Sequence, residues 1–125
     1  MVKKSLLGLL VLSGIFEIFQ TAHAFLDPQW LLSLLTIPVA PGAVTLNHIT
    51  AWFLLLVSAL IVLCIVWIRE NKREGEVLCV ALGVWWIGIG IGIYLVSGVA
   101  TNLFTDSLKG LILCALALKN SRTHA

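Results

Sequence analysis

A chain of 125 residues, 60% hydrophobic and 11% charged, with a mean hydropathy of +1.06, carries more apolar surface than a soluble domain of that length can bury. Composition therefore specifies a single integral membrane domain over 1–125. The formal net charge of +2 is small and dispersed, with no basic patch interleaved with aromatics, which excludes a nucleic-acid partner. Cys64, Cys79 and Cys114 lie in apolar runs without CxxC spacing, which excludes a disulfide framework and a zinc site.

The first predicted span covers 5–26, behind Lys3 and Lys4, and has two readings. A basic start, an apolar run from Leu6 to Phe16 and a small-x-small end at Ala22-His23-Ala24 have the form of a secretory signal peptide. Glu17 and Gln20 stand between that run and that end, which favours retention as a transmembrane helix. Both readings start the next segment on the outer side. There Asp27 and Pro28 have the character of an N-cap and a first helical residue. The apolar stretch behind them is shorter than the ~20 residues a spanning helix needs, and Trp30 suits an interface. A short interfacial helix is expected over 28–36, ended by Pro38 and Pro41-Gly42.

The second span is predicted over 48–68, with Trp52 and Trp67 near its two ends. Arg69 to Glu76, RENKREGE, is a wet turn. The third span, 77–97, is uncharged beyond its start and rich in glycine. Lipid offers no partner to an open backbone edge, so this run is read as a helix despite its alternating Gly and Ile. At 100° per residue, Gly83, Gly90, Tyr94 and Ser97 share one face, and Ala81, Gly88 and Gly92 the opposite one. Small residues let helix backbones approach in a membrane. Gly83, Gly88, Gly90, Gly92 and Ser97 are therefore the predicted packing positions, against neighbours on two sides. A polar connection leads to the last span, 103–118, which is only ~24 Å long at ~1.5 Å per residue.

Lys3, Lys4, Arg69, Lys72, Arg73, Lys119 and Arg122 all fall at one side of these spans, leaving Lys109 for the other. The expected fold is an all-α, four-helix membrane bundle with both termini cytoplasmic, placed in a bacterial inner membrane.

Candidate chemistry centres on Glu17, the one acidic residue deep in a span. Ser13, Glu17, Gln20, Thr21 and Ala24 share a helical face that points into the bundle. A carboxylate at that depth costs a few kcal/mol or more unless it is neutral or partnered. It is read either as a proton- or cation-binding group or as a structural hydrogen-bonding group, with Ser58 as a candidate partner. Glu17, Gln20, Ser13 and Tyr94 form the candidate substrate or proton site. His23, Asp27, His48, Tyr94, Asn102 and Asp106 are expected near the outer surface as a hydrogen-bonded mouth. They lack ligand spacings such as HxxxH or HExxH, so no metal or cofactor is assigned. The cysteines are expected at similar depths, as small hydrophobes. Trp85 and Trp86 are expected to pack in the core or to flank a lipid, quinone or aromatic ligand.

In size, and in four spans with a long outer connection after the first, the chain resembles the small DoxX-like and DUF4345-type bacterial membrane proteins. That resemblance implies a four-helix membrane bundle. Glu17, a lone carboxylate in the first of four short helices, also resembles the small multidrug resistance transporters, in which such a residue binds a proton and a cationic drug. Three functions stand as expectations. The first is a non-catalytic accessory or packing subunit, a homo-oligomer or part of a larger membrane complex. The second is a proton-coupled transporter of a small molecule or cation that uses Glu17. The third is a lipid- or quinone-linked membrane enzyme.

Overall fold

The computed structural model describes residues 2–27 and 41–123. The expected interfacial helix at 28–36 lies outside the described residues. Four helices make up the described residues: α1 (Val2–Leu26), α2 (Pro41–Arg69), α3 (Arg73–Ser97) and α4 (Lys109–Thr123), the last preceded by a π-helical segment, Leu103–Leu108. No strand occurs among the described residues. Three of the helices, α1, α2 and α3, are long and apolar enough to cross a membrane. Exposed side chains on the bundle include more large apolar groups than water would tolerate, among them Leu12, Ile15, Leu56, Val84, Leu95 and Leu111.

α2 begins earlier than its hydropathy indicates. Pro41 and Gly42, expected to end the preceding segment, instead open this helix. Proline suits a first helical position because the N–H it lacks would have no intrahelical partner there. The α2–α3 turn is set by Asn71, whose φ of 58° is left-handed. Asn71 N–H donates to Ile68 O at 3.1 Å and Lys72 N–H to Trp67 O at 2.9 Å, the paired bonds of a Schellman helix end. Glycine ends α3 in a simpler way. Gly98, φ 70°, donates its N–H to Tyr94 O at 2.8 Å.

Successive helices run antiparallel, and each packs on its sequence neighbours, with α4 closing onto α1. At one end Lys3 Nζ donates to Asn71 Oδ1 at 2.8 Å, and Asn120 Nδ2 to Glu76 Oε1 at 2.8 Å. At the other end Asn47 Nδ2 donates to Ala24 O at 3.1 Å. The first end therefore gathers the start of α1, the charged turn and the end of α4. Between the ends, Leu6 and Leu10 of α1, Ile61 and Cys64 of α2, Cys79 and Trp86 of α3 and Leu113 and Ala117 of α4 form one buried apolar core.

The two glycine faces of α3 differ. A Cβ on Gly83 would fall on Cys114 Sγ and 2.7 Å from Gly110 O, and one on Gly90 would fall on Ser107 Oγ and 2.5 Å from Asn102 O. That face lets α3 and α4 meet backbone to backbone. A methyl group added at Gly88 or Gly92 would have nothing within 4 Å, and Ser97 and Tyr94 are exposed. Among the described residues, close approach by the predicted packing positions is thus confined to Gly83 and Gly90, with Gly110 as the partner in α4.

Candidate functional site

The inward face of α1 reads Leu6, Leu10, Ser13, Glu17, Thr21, Ala24, all buried. Its spacing of three and four residues is the helical repeat. Glu17 is 2% exposed and lies about 14 Å along the helix axis from the Leu26 end. Thr21 donates its hydroxyl to Glu17 O at 2.7 Å and sits 3.4 Å from Ser58 Oγ. Ser58 therefore meets Thr21, and the expected Glu17–Ser58 bond is not formed.

The partner of Glu17 is Lys109. Its Nζ is 3.5 Å from Glu17 Oε1 and 3.7 Å from Asp106 Oδ1. It also lies 4.0 Å from the centroid of the Trp86 ring and 5.7 Å from that of Phe16. Lys109 is thus not the outer-side cation that its place in the sequence suggests: its side chain is 12% exposed and points into the bundle. Asp106 is likewise not at the outer surface but buried, and it accepts a hydrogen bond from Asn102 Nδ2 at 2.7 Å.

A local feature of the backbone carries this arrangement. Residues Leu103–Leu108 form a π-helix that runs on into α4, and such wide turns often mark functional positions. Ser107 Oγ donates to Ile87 O at 2.9 Å, which ties the wide turn to α3 beside Gly90. Asp106 and Lys109, three residues apart, then face α1 together. A signal for this is present in the sequence. Asn102, Asp106, Lys109, Leu113, Ala117 and Asn120 recur at three- and four-residue steps, and that row is the inward face of the last helix.

Beside the charged group lies a cavity of about 350 Å³. Glu17 and Asp106 form part of its wall with Gln20 and Asn102, and Trp85, Trp86, Phe53 and Leu54 supply the apolar part. Trp86 is buried, whereas Phe53, Thr50 and Trp85 are exposed, so the cavity opens sideways between α2 and α3. The Trp85 and Trp86 rings are 6.2 Å apart at 57°. Of the predicted substrate or proton residues, Glu17 and Gln20 reach this cavity. Ser13 is buried one turn toward the other end of α1, and Tyr94 is on the outer surface.

Two polar atoms here are buried without a hydrogen-bond partner among the described residues, Glu17 Oε2 and Lys109 Nζ. The ammonium makes long ion-pair contacts with both carboxylates, 3.5 Å to Glu17 and 3.7 Å to Asp106. With all three groups ionised, two carboxylates and one ammonium leave one negative charge uncancelled.

Elsewhere the sequence candidates are ordinary. His23 Nδ1 is 3.0 Å from Phe19 O, and His48 stacks edge-on with Phe25 while Trp52 Nε1 donates to its Nε2 at 3.4 Å. Cys64 and Cys79 are buried, and Cys114 Sγ donates to Val80 O at 3.5 Å. Among the described residues, no three His, Cys, Asp or Glu are grouped so as to hold a metal ion. No family model, curated protein or solved structure matches the chain.

Proposed function

We propose that this protein is a proton-coupled carrier of a small amphiphilic molecule, with Glu17 as the group that exchanges the proton. One observation carries the reading: a carboxylate pair and a single ammonium are buried together beside a laterally open cavity. Two carboxylates beside one ammonium would carry a surplus negative charge when all are ionised, and a low-dielectric surrounding then favours uptake of a proton or another positive charge. Ionisable residues within a span are functional candidates by default, because their desolvation is costly and packing alone is served by apolar side chains. In this reading the protein sits in a bacterial inner membrane with both termini cytoplasmic.

The test uses proteoliposomes with an internal pH dye and an imposed pH gradient. Adding a substrate amphiphile should dissipate the gradient with the native protein and leave it intact with Glu17→Gln. Equal dissipation by inserted, folded Glu17→Gln overturns the proposal.

A second reading, an accessory subunit of a homo-oligomer or larger complex, is favoured by the outward Gly88 and Gly92, where a neighbouring helix would meet only backbone. Gly88→Leu should then release a partner that co-purifies in mild detergent, and retention of the partner by this variant counts against it. Gly90 is unsuited to this test, since its substitution would strike Ser107 within the same chain.

A further inference from the structure

We infer that the cavity binds a primary amine on a single apolar tail, its ammonium head held against Asp106. This rests on the carrier reading above and names the class of molecule carried. Lys109 is not among the residues that line the cavity, and the charged groups in its wall are the carboxylates of Glu17 and Asp106. Of the two, Asp106 is the one a ligand reaches, with its side chain 12% exposed against 3% for that of Glu17. An ionised carboxylate has about four acceptor positions. Those of Asp106 meet one hydrogen bond, from Asn102 Nδ2 at 2.7 Å, and the long contact with Lys109 at 3.7 Å. Positions are left over for a donor that enters from the cavity.

The rest of the polar wall also accepts more than it donates. Thr50 spends its hydroxyl proton on Leu46 O at 2.9 Å, which leaves only lone pairs for the cavity. Asn102 spends an amide hydrogen on Asp106. A head that satisfies such a wall brings donors and a positive charge. A primary ammonium brings three donors and no acceptor. One such charge balances the group, since ionised Glu17 and Asp106 exceed Lys109 by one. Other heads fit less well. A hydroxyl brings one donor and no charge, and an anion meets two carboxylates. A quaternary ammonium has no N–H to give and is held by aromatic faces, but Lys109 already covers one face of Trp86, 4.0 Å from the ring centroid. The tail follows from the remaining wall. Leu54, Ile89 and Ile93 make it apolar, and the exposed Phe53 and Trp85 flank the opening between α2 and α3 through which a chain passes into lipid.

The test reads bromine quenching of indole fluorescence in nanodiscs. Replacing Trp30, Trp52 and Trp67 by phenylalanine leaves Trp85 and Trp86, both in the cavity wall, as the emitters. The probes share a bromohexyl tail and differ in the head, which is a primary ammonium, a trimethylammonium or a hydroxyl. Protein-free discs carrying a tryptophan peptide correct for simple partitioning. The primary ammonium should quench at concentrations about tenfold lower than either of the others. Asp106→Asn should bring the two cations to within about twofold of each other. Glu17→Gln removes charge but leaves the acceptor at Asp106, so it should weaken both cations and keep their order.

Quenching by the trimethylammonium probe at equal or lower concentration than the primary amine overturns the inference, because hydrogen bonds then do not select the head. Equal quenching by the alcohol overturns it as well, because charge then has no part. Both comparisons are made with Asp106 and Glu17 intact, so a site variant that fails to fold does not blunt them. An undiminished preference for the primary amine in folded Asp106→Asn places the head elsewhere and also overturns it. Failure of the carrier reading shows differently, as a pH gradient that neither cation dissipates beyond the leak of protein-free liposomes, whatever their order of binding.

Discussion

At the scale of single residues, the bundle is organised by an ion pair that the sequence half conceals. Glu17 is legible because a lone carboxylate interrupts an apolar span and shares a helical face with Ser13 and Thr21. Lys109 is harder to place: the row Asn102, Asp106, Lys109, Leu113 marks an inward face, but a lysine near the start of a short span also reads as a rim residue whose long side chain reaches water. What turns it inward is tertiary: Asp106 beside it, Glu17 opposite and the Trp86 ring at 4.0 Å. Breaking a buried pair leaves an uncompensated charge. Lys109→Met should therefore destabilise the protein by about 3–5 kcal/mol, measured by titrating denaturing detergent into a mild-detergent micelle. Glu17→Gln in the same background should restore part of that loss, since one carboxylate then disappears. Strictly additive effects of the two substitutions would mean that the pair is not coupled.

The elements follow from helical periodicity where it is regular and escape it where it is not. α1 and α3 lie close to their predicted spans because long apolar runs in lipid have little alternative to a helix. The start of α2 departs from its predicted place because Pro41-Gly42 signals a break and a helix beginning equally well, and only the packed structure decides. The π segment at Leu103–Leu108 is invisible in the sequence for a related reason: a template of 3.6 residues per turn has no place for an added residue. The α3–α4 contact gives the clearest element-scale prediction. Gly83→Val should cost about 1–3 kcal/mol through overpacking against Cys114 and Gly110. Gly88→Ala, with open space around its new methyl, should be neutral or add up to about 1 kcal/mol of helix stability. Melting both variants in one detergent compares them directly, and an equal loss would show that both glycine faces are occupied in the folded protein.

For the whole molecule, the inward turn of Lys109 sharpens the charge asymmetry that sets orientation. Lys3, Lys4, Arg69, Lys72, Arg73, Lys119 and Arg122 belong to the end where Lys3 meets Asn71 and Asn120 meets Glu76. The eighth cation is buried against Glu17, so no Lys or Arg is left to anchor the opposite end at its membrane surface. Positive charge near short loops resists translocation, and the basic end should therefore stay in the cytoplasm. This predicts a labelling pattern in a bacterial host, using single cysteines in a background where Cys64, Cys79 and Cys114 are replaced by alanine. Cysteines at Lys72 and Ser121 should react with an impermeant maleimide only after the cells are opened. Cysteines at His48 and Thr101, at the other end of α2 and of the last helix, should react in intact cells. Opposite behaviour of Lys72 and Ser121 would mean that the short last helix does not cross the membrane. The carrier reading would fall with it, since Lys109 and Asp106 reach Glu17 only if that helix runs through the bundle.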